Sequence, residues 1–193
     1  VMPLATVEQA IQDFRDGRLI VVVDDDQRDN EGDVIVAAER ITIEHVEFML
    51  RYGRGPVYLS VDGARLDELG ITSGQTNRAL HAPAQTVSIE AHGTAGLTPA
   101  EACVATVRAV LDPHSTAGVL VTPGRVFPLR PRPGGVLERA GHTEATFDLA
   151  NLYGSYPAGV LSTLRDDAGA MTRLSQLEAF GRTHGVTMIS IAQ

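Results

Sequence analysis

The sequence predicts an α/β fold, layered in the α+β sense, with a mixed β-sheet flanked by helices and residues 1–193 in a single domain. Two apolar runs, Leu19-Ile20-Val21-Val22-Val23 and Val34-Ile35-Val36-Ala37-Ala38, are short and rich in β-branched residues, as buried strands are. Capped helical periods alternate with further runs of this kind. A chain of 193 residues, 44% of them hydrophobic, is long enough for one substantial core.

In chain order, Thr6-Val7-Glu8-Gln9 has the form of a capping box, and Ala10, Ile11 and Phe14 continue an apolar helical face to about Gly17. The strand 19–23 follows, then an acidic loop, then the strand 34–38. Thr42 caps a helix carrying Val46, Met49 and Leu50, and Val57-Tyr58-Leu59-Ser60-Val61 is the next strand. Residues 70–85 lack periodicity and read as a long loop of the functional kind. Thr86–Ala91 alternates as a strand. Thr98-Pro99 opens a helix over 99–111, with proline at the first helical position, and Pro113 closes it. From Pro123 to about Gly141 prolines and glycines recur too often for long regular elements. Thr143 is expected to cap a helix to about Tyr153. A strand at 160–164, a capping box at Ser175-Gln176-Leu177-Glu178 and a strand at 186–191 complete about six strands and five helices.

With 24 acidic against 16 basic side chains, the net charge of −8 disfavours nonspecific binding to nucleic acid or an anionic membrane. No apolar stretch approaches the roughly 20 residues that span a bilayer, and no basic segment precedes an apolar one at the start. The expectation is a soluble, cytoplasmic protein with neither nucleic acid nor membrane as partner. The single Cys103 forms no internal disulfide and reads as core packing.

Three segments could carry chemistry. Asp24-Asp25-Asp26-Gln27-Arg28-Asp29-Asn30-Glu31-Gly32-Asp33 holds six carboxylates and one guanidinium between two buried strands, so it is a loop pinned at both ends. The second is Arg125–Arg132. In Arg139-Ala140-Gly141-His142-Thr143-Glu144, a glycine before a helix start exposes free N–H groups, Thr143 can contact an anion and Arg139 adds charge, which makes a phosphate seat. His142 can ligate a metal or move a proton. The bland alternatives are a solvated acidic surface, a structural histidine and a shaped loop. No P-loop, dinucleotide fingerprint, Gly-x-Ser-x-Gly or Cys-x-x-Cys is present. On these residues alone the reading stops at a carboxylate and histidine site for a small anion.

The acidic segment, together with Val126-Phe127-Pro128-Leu129-Arg130, Gly134-Gly135-Val136-Leu137, Arg139–Ala145, Pro157-Ala158-Gly159-Val160-Leu161 and Leu177-Glu178-Ala179-Phe180, resembles 3,4-dihydroxy-2-butanone 4-phosphate synthase over nearly the whole chain. The resemblance implies a homodimeric enzyme that converts D-ribulose 5-phosphate to dihydroxybutanone phosphate and formate with Mg2+ or Mn2+, for riboflavin synthesis. It implies catalytic roles for Asp29, Asp33 and His142, metal ligation by Asp29 and His142, and substrate contacts from Arg28, Arg139, Gly141 and Thr143; Arg125 and Thr163, which stand where the family has other residues, are expected to contact the substrate as well.

Several positions depart from the family's pattern. Asp29 stands for a glutamate, Arg125 for a histidine, Thr163 for a glutamate and Tyr58 for a cysteine. His81-Ala82-Pro83-Ala84 replaces a tyrosine-glycine-threonine loop, and Thr98–Ala102 lacks an arginine. Each lost acid or base could cost on the order of 10² to 10⁴ in rate. The expectation from these changes is a divergent paralogue catalysing a different lyase, isomerase, dehydratase or cyclisation step on a small, phosphorylated molecule in specialised metabolism. The alternatives are the family's own synthase reaction and a non-catalytic ligand-binding protein.

Overall fold

The computed structural model describes residues 4–24, 31–71, 84–154, 156–170 and 172–193. Their order is α1 (Val7–Arg15), β1 (Ile20–Val23), β2 (Gly32–Ala37), α2 (Ile43–Gly53), β3 (Val57–Val61), α3 (Gly63–Glu68), β4 (Ala84–Gln85), β5 (Ile89–Ala91), α4 (Pro99–Leu111), β6 (Leu120–Arg130), α5 (His142–Tyr153), β7 (Ala158–Thr163), α6 (Leu174–His184) and β8 (Thr187–Ser190).

One mixed sheet runs β4-β6-β3-β7-β2-β1-β8, with β5 paired to β6. The strands β1 and β2 are buried throughout, because helices cover both sheet faces. Val21, Val23, Val34 and Val36 pack with α2, α4 and Leu177 of α6. The alternate residues Ile20, Val22, Ile35 and Ala37 pack with α1 and α5. This period of two decides which side chains can share a site.

Most predicted elements are present, and the differences have local causes. Thr6 caps α1 by accepting from the Gln9 N–H at 3.2 Å, but the Gln9 side chain donates to Asp13 at 3.0 Å and does not close the box. The last predicted cap shifts too: Arg173 precedes α6 and its N–H donates to Gln176 Oε1 at 2.9 Å, which leaves Ser175 inside the first turn. The short α3 was not expected. The expected strand 86–91 is regular only over Ile89–Ala91.

The largest correction is β6, which crosses the region expected to be irregular. Pairing with β5 jumps from Ile89↔Val126 to Glu90↔Val121, so Pro123 falls within a bulge and meets no ladder requirement for its missing N–H. Pro128 pairs with Leu59 of the parallel strand β3, while its carbonyl accepts from the Thr86 N–H and hydroxyl.

At the start of α2, Thr42 accepts from the His45 N–H and His45 Nδ1 accepts from the Thr42 N–H, both at 3.3 Å. Burial holds the His45 pKa below its ordinary value of 6.5. The unfolded chain therefore binds a proton more readily, so this contribution to stability is complete above about pH 6.5 and is lost as pH falls toward the depressed folded value. Chemical denaturation between pH 7 and 5 should show this loss in the wild type. His45→Gln, which keeps an acceptor for the cap, should show a smaller one.

Candidate active site

The acidic loop leaves the sheet where expected. Val23 pairs with Gly32, and beyond them the Asp24 N–H donates to the Glu31 carbonyl at 3.2 Å while Asp24 Oδ1 accepts from the Glu31 N–H at 2.9 Å. Both ends of the loop are thus tied. Arg28 and Asp29 lie in it, outside the described residues, as do residues 81–83. Gly32 follows at a close approach: a Cβ there would stand 2.6 Å from Leu177 Cδ1, so α6 seats directly on the strand start.

Asp33 sits in β2 opposite Thr163 on one side and Val22 on the other. By alternation it shares the face of Ile35 and Ala37, which α5 covers. Thr163 shares that face with Leu161. Tyr58 and Ser60 of β3 do so as well, and the Ser60 hydroxyl donates to the Thr143 carbonyl at 2.8 Å, fixing the first turn of α5 against the sheet. In β6, Phe127 is level with Tyr58 and shares this face. Thr163, Asp33 and Val22 stand level across β7, β2 and β1 and form one row.

Asp33 is 5% exposed, and its Oδ1 has no hydrogen-bond partner among the described residues. His142 Nε2, at the N-terminus of α5, is also buried without a partner. A buried polar atom left unpaired is costly unless something else completes it, so these two atoms mark where a bound group would complete the site. The nearby apolar pocket of about 140 Å³, bounded by Val7, Val136, Leu149 and Ile191, offers a sugar phosphate too few polar partners.

The expected cap of α5 is corrected by the structure. Gly141, not Thr143, occupies the cap position, with no side-chain hydrogen bond, and Thr143 is buried at 4% exposure. The room above Gly141 is not open to a ligand, because Arg139 Nη1 and Glu144 Oε2 fill it. Arg139 pairs with Glu144 at 2.6 Å, at 13% and 1% side-chain exposure, and the other Glu144 oxygen accepts from the Arg132 N–H at 3.0 Å. Glu144 was not singled out from the sequence. Its place one residue after Thr143, inside a helix with an apolar face, was the available signal.

Arg125 is likewise engaged. It pairs with Glu90 of β5, whose carboxylate also accepts from the Thr94 hydroxyl at 2.6 Å. The Thr94 hydrogen bond first, and then Arg125, lower the Glu90 pKa and keep it ionised. This carboxylate was also missed, although Ile89 and Ala91 as inward residues leave Glu90 on the opposite face. Cys103 packs in the core, where burial pushes its thiol up to about 11, so it is not a thiolate near neutrality.

Among the described residues no three histidine, cysteine, aspartate or glutamate side chains converge on a metal-sized space. His142 Nε2 fits the role of a ligand, being buried and unpartnered. A full donor set would need Asp29 from the loop, with water or substrate oxygens.

A sheet face bearing a buried carboxylate, an imidazole at a helix start and paired guanidinium groups is the arrangement of an enzyme acting on a small polar molecule. The sequence profile of 3,4-dihydroxy-2-butanone 4-phosphate synthase matches residues 8–193, and the chain belongs to that family. It is 45% identical over 191 residues to the 3,4-dihydroxy-2-butanone 4-phosphate synthase of Edwardsiella ictaluri (strain 93-146), covering 98% of this chain and 87% of that one. It is 44% identical to the riboflavin biosynthesis protein RibBA of Aquifex aeolicus (strain VF5), covering 97% of this chain but only 47% of RibBA, so it spans about half of that relative. A solved 3,4-dihydroxy-2-butanone 4-phosphate synthase in complex with two magnesium ions superposes with a TM-score of 0.91 at 32% identity, covering 98% of this chain and 94% of that one.

These likenesses overturn the expectation of a divergent paralogue with a different reaction in specialised metabolism. That expectation rested on Arg125 and Thr163 as lost acid and base groups, yet relatives at 40–45% identity over nearly the full chain bear the synthase name. The row still holds Asp33, and Glu90 brings a carboxylate to Arg125.

Proposed function

We propose that this chain catalyses the family's own reaction, the conversion of D-ribulose 5-phosphate to 3,4-dihydroxy-2-butanone 4-phosphate and formate in riboflavin biosynthesis. The carrying observation is the pair of buried, unpartnered atoms, Asp33 Oδ1 and His142 Nε2, in a chain similar to synthases along nearly its whole length. The substrate's atoms divide between the two products, so no oxidant or reductant is required. Proton movements are, and Asp33, His142 and Asp29 are the groups assigned to them.

Arg28, Arg139 and Thr143 are assigned to the substrate's phosphate end, where the first turn of α5 contributes free N–H groups. Thr163 lines the row beside Asp33, and Arg125 is assigned to the substrate as well. Mg2+ or Mn2+ held by Asp29 and His142 would polarise substrate oxygens. We further propose a homodimer, residues 1–193 acting as one domain, and a cytoplasmic location without nucleic acid or membrane partners. Among the described residues no helix is long and apolar enough to cross a membrane. The test is formate release from D-ribulose 5-phosphate in the presence of magnesium.

A further inference from the structure

Tyr58 lies on the site face one row in from Thr163 and Asp33, level with Phe127 on one side and Leu161 on the other. The Phe127 ring packs beside it at 6.0 Å between centroids, fixing the tyrosine ring at that edge. Two charges act on its phenol, Asp33 in β2 and Arg165 just beyond β7, and both stand at the same end of the sheet. Tyr58 is half-buried.

We propose that Tyr58 is a substrate-contacting residue of this chain, its hydroxyl donating a hydrogen bond to an oxygen of the sugar phosphate held over Asp33 and Thr163. The inference rests on the synthase reading. Burial, and then the Asp33 carboxylate, raise the Tyr58 pKa, so the hydroxyl keeps its proton as pH rises past neutrality and remains a donor. A neutral donor beside a carboxylate can hold a substrate oxygen without competing for the proton that the carboxylate takes or gives.

The test is Tyr58→Phe, which keeps the ring against Phe127 and removes only the hydroxyl. The expected result is a fall of about tenfold in kcat/KM for formate release, with the melting temperature unchanged. A second measurement reads the contact directly. The chain has four tyrosines and no tryptophan, so its near-ultraviolet absorbance reports tyrosines with little interference. Adding D-ribulose 5-phosphate without metal should perturb that band in the wild type and not in Tyr58→Phe. Equal kcat/KM in the two proteins, or an equal perturbation in both, would overturn the role of Tyr58 while leaving the synthase reading intact. A wild type that neither releases formate nor shows the perturbation would overturn both.

Discussion

Asp33→Asn is expected to lower the rate of formate release from D-ribulose 5-phosphate by a factor on the order of 10² to 10⁴, the range for a lost acid or base group. Asparagine preserves the size of the side chain and leaves the β2 backbone pairs to Thr163 and Val22 untouched. It also removes a carboxylate oxygen that is buried without a partner among the described residues. The variant should therefore unfold at the wild-type temperature or slightly above it, because the position no longer carries a desolvated charge. Loss of rate without loss of stability is the signature of a group kept for chemistry. Comparable steady-state rates in the two proteins would remove Asp33 from the proton-transfer steps.

Arg139→Ala should act in the opposite way, chiefly on stability. Its guanidinium pairs with a Glu144 carboxylate that is 1% exposed, and removing it leaves that charge buried, with the Arg132 N–H as its other described partner. Breaking one half of such a pair costs about 3–5 kcal/mol, a large share of the roughly 5–15 kcal/mol that holds a domain together. For a chain of this length a melting temperature lower by about ten degrees follows. Converting both partners to methionine should cost less than the single change, since no charge is then stranded. If the single variant melts like the wild type, the ion pair contributes little to stability.

The sheet and most of its helices were legible because their signals are local. The β-branched runs, the Thr42 and Thr98 caps and Pro99 at the first turn each specify their own conformation. The ends of the acidic segment were legible for the same reason, two buried strands fixing them. What was not legible depends on contacts between distant segments. Pro123 and Pro128 read as strand breakers until the bulge with β5 and the Thr86 contacts supply geometry that tolerates them. Gly141 read as an opening for a ligand, and only the fold shows that Arg139 and Glu144 occupy it. Substitution at Arg125 looked like lost chemistry because its partner Glu90 stands 35 residues earlier in the chain. Register across three strands, which no local pattern encodes, brings Thr163, Asp33 and Val22 into one row.

The central claim, that this chain performs the family's synthase reaction, is tested most directly by incubating the purified protein with D-ribulose 5-phosphate and magnesium and measuring formate. The account predicts formate and 3,4-dihydroxy-2-butanone 4-phosphate in equal amounts, rising with enzyme concentration and abolished by a chelator. Formate no greater than in a control without enzyme, under conditions where the Edwardsiella ictaluri synthase turns over, would contradict it.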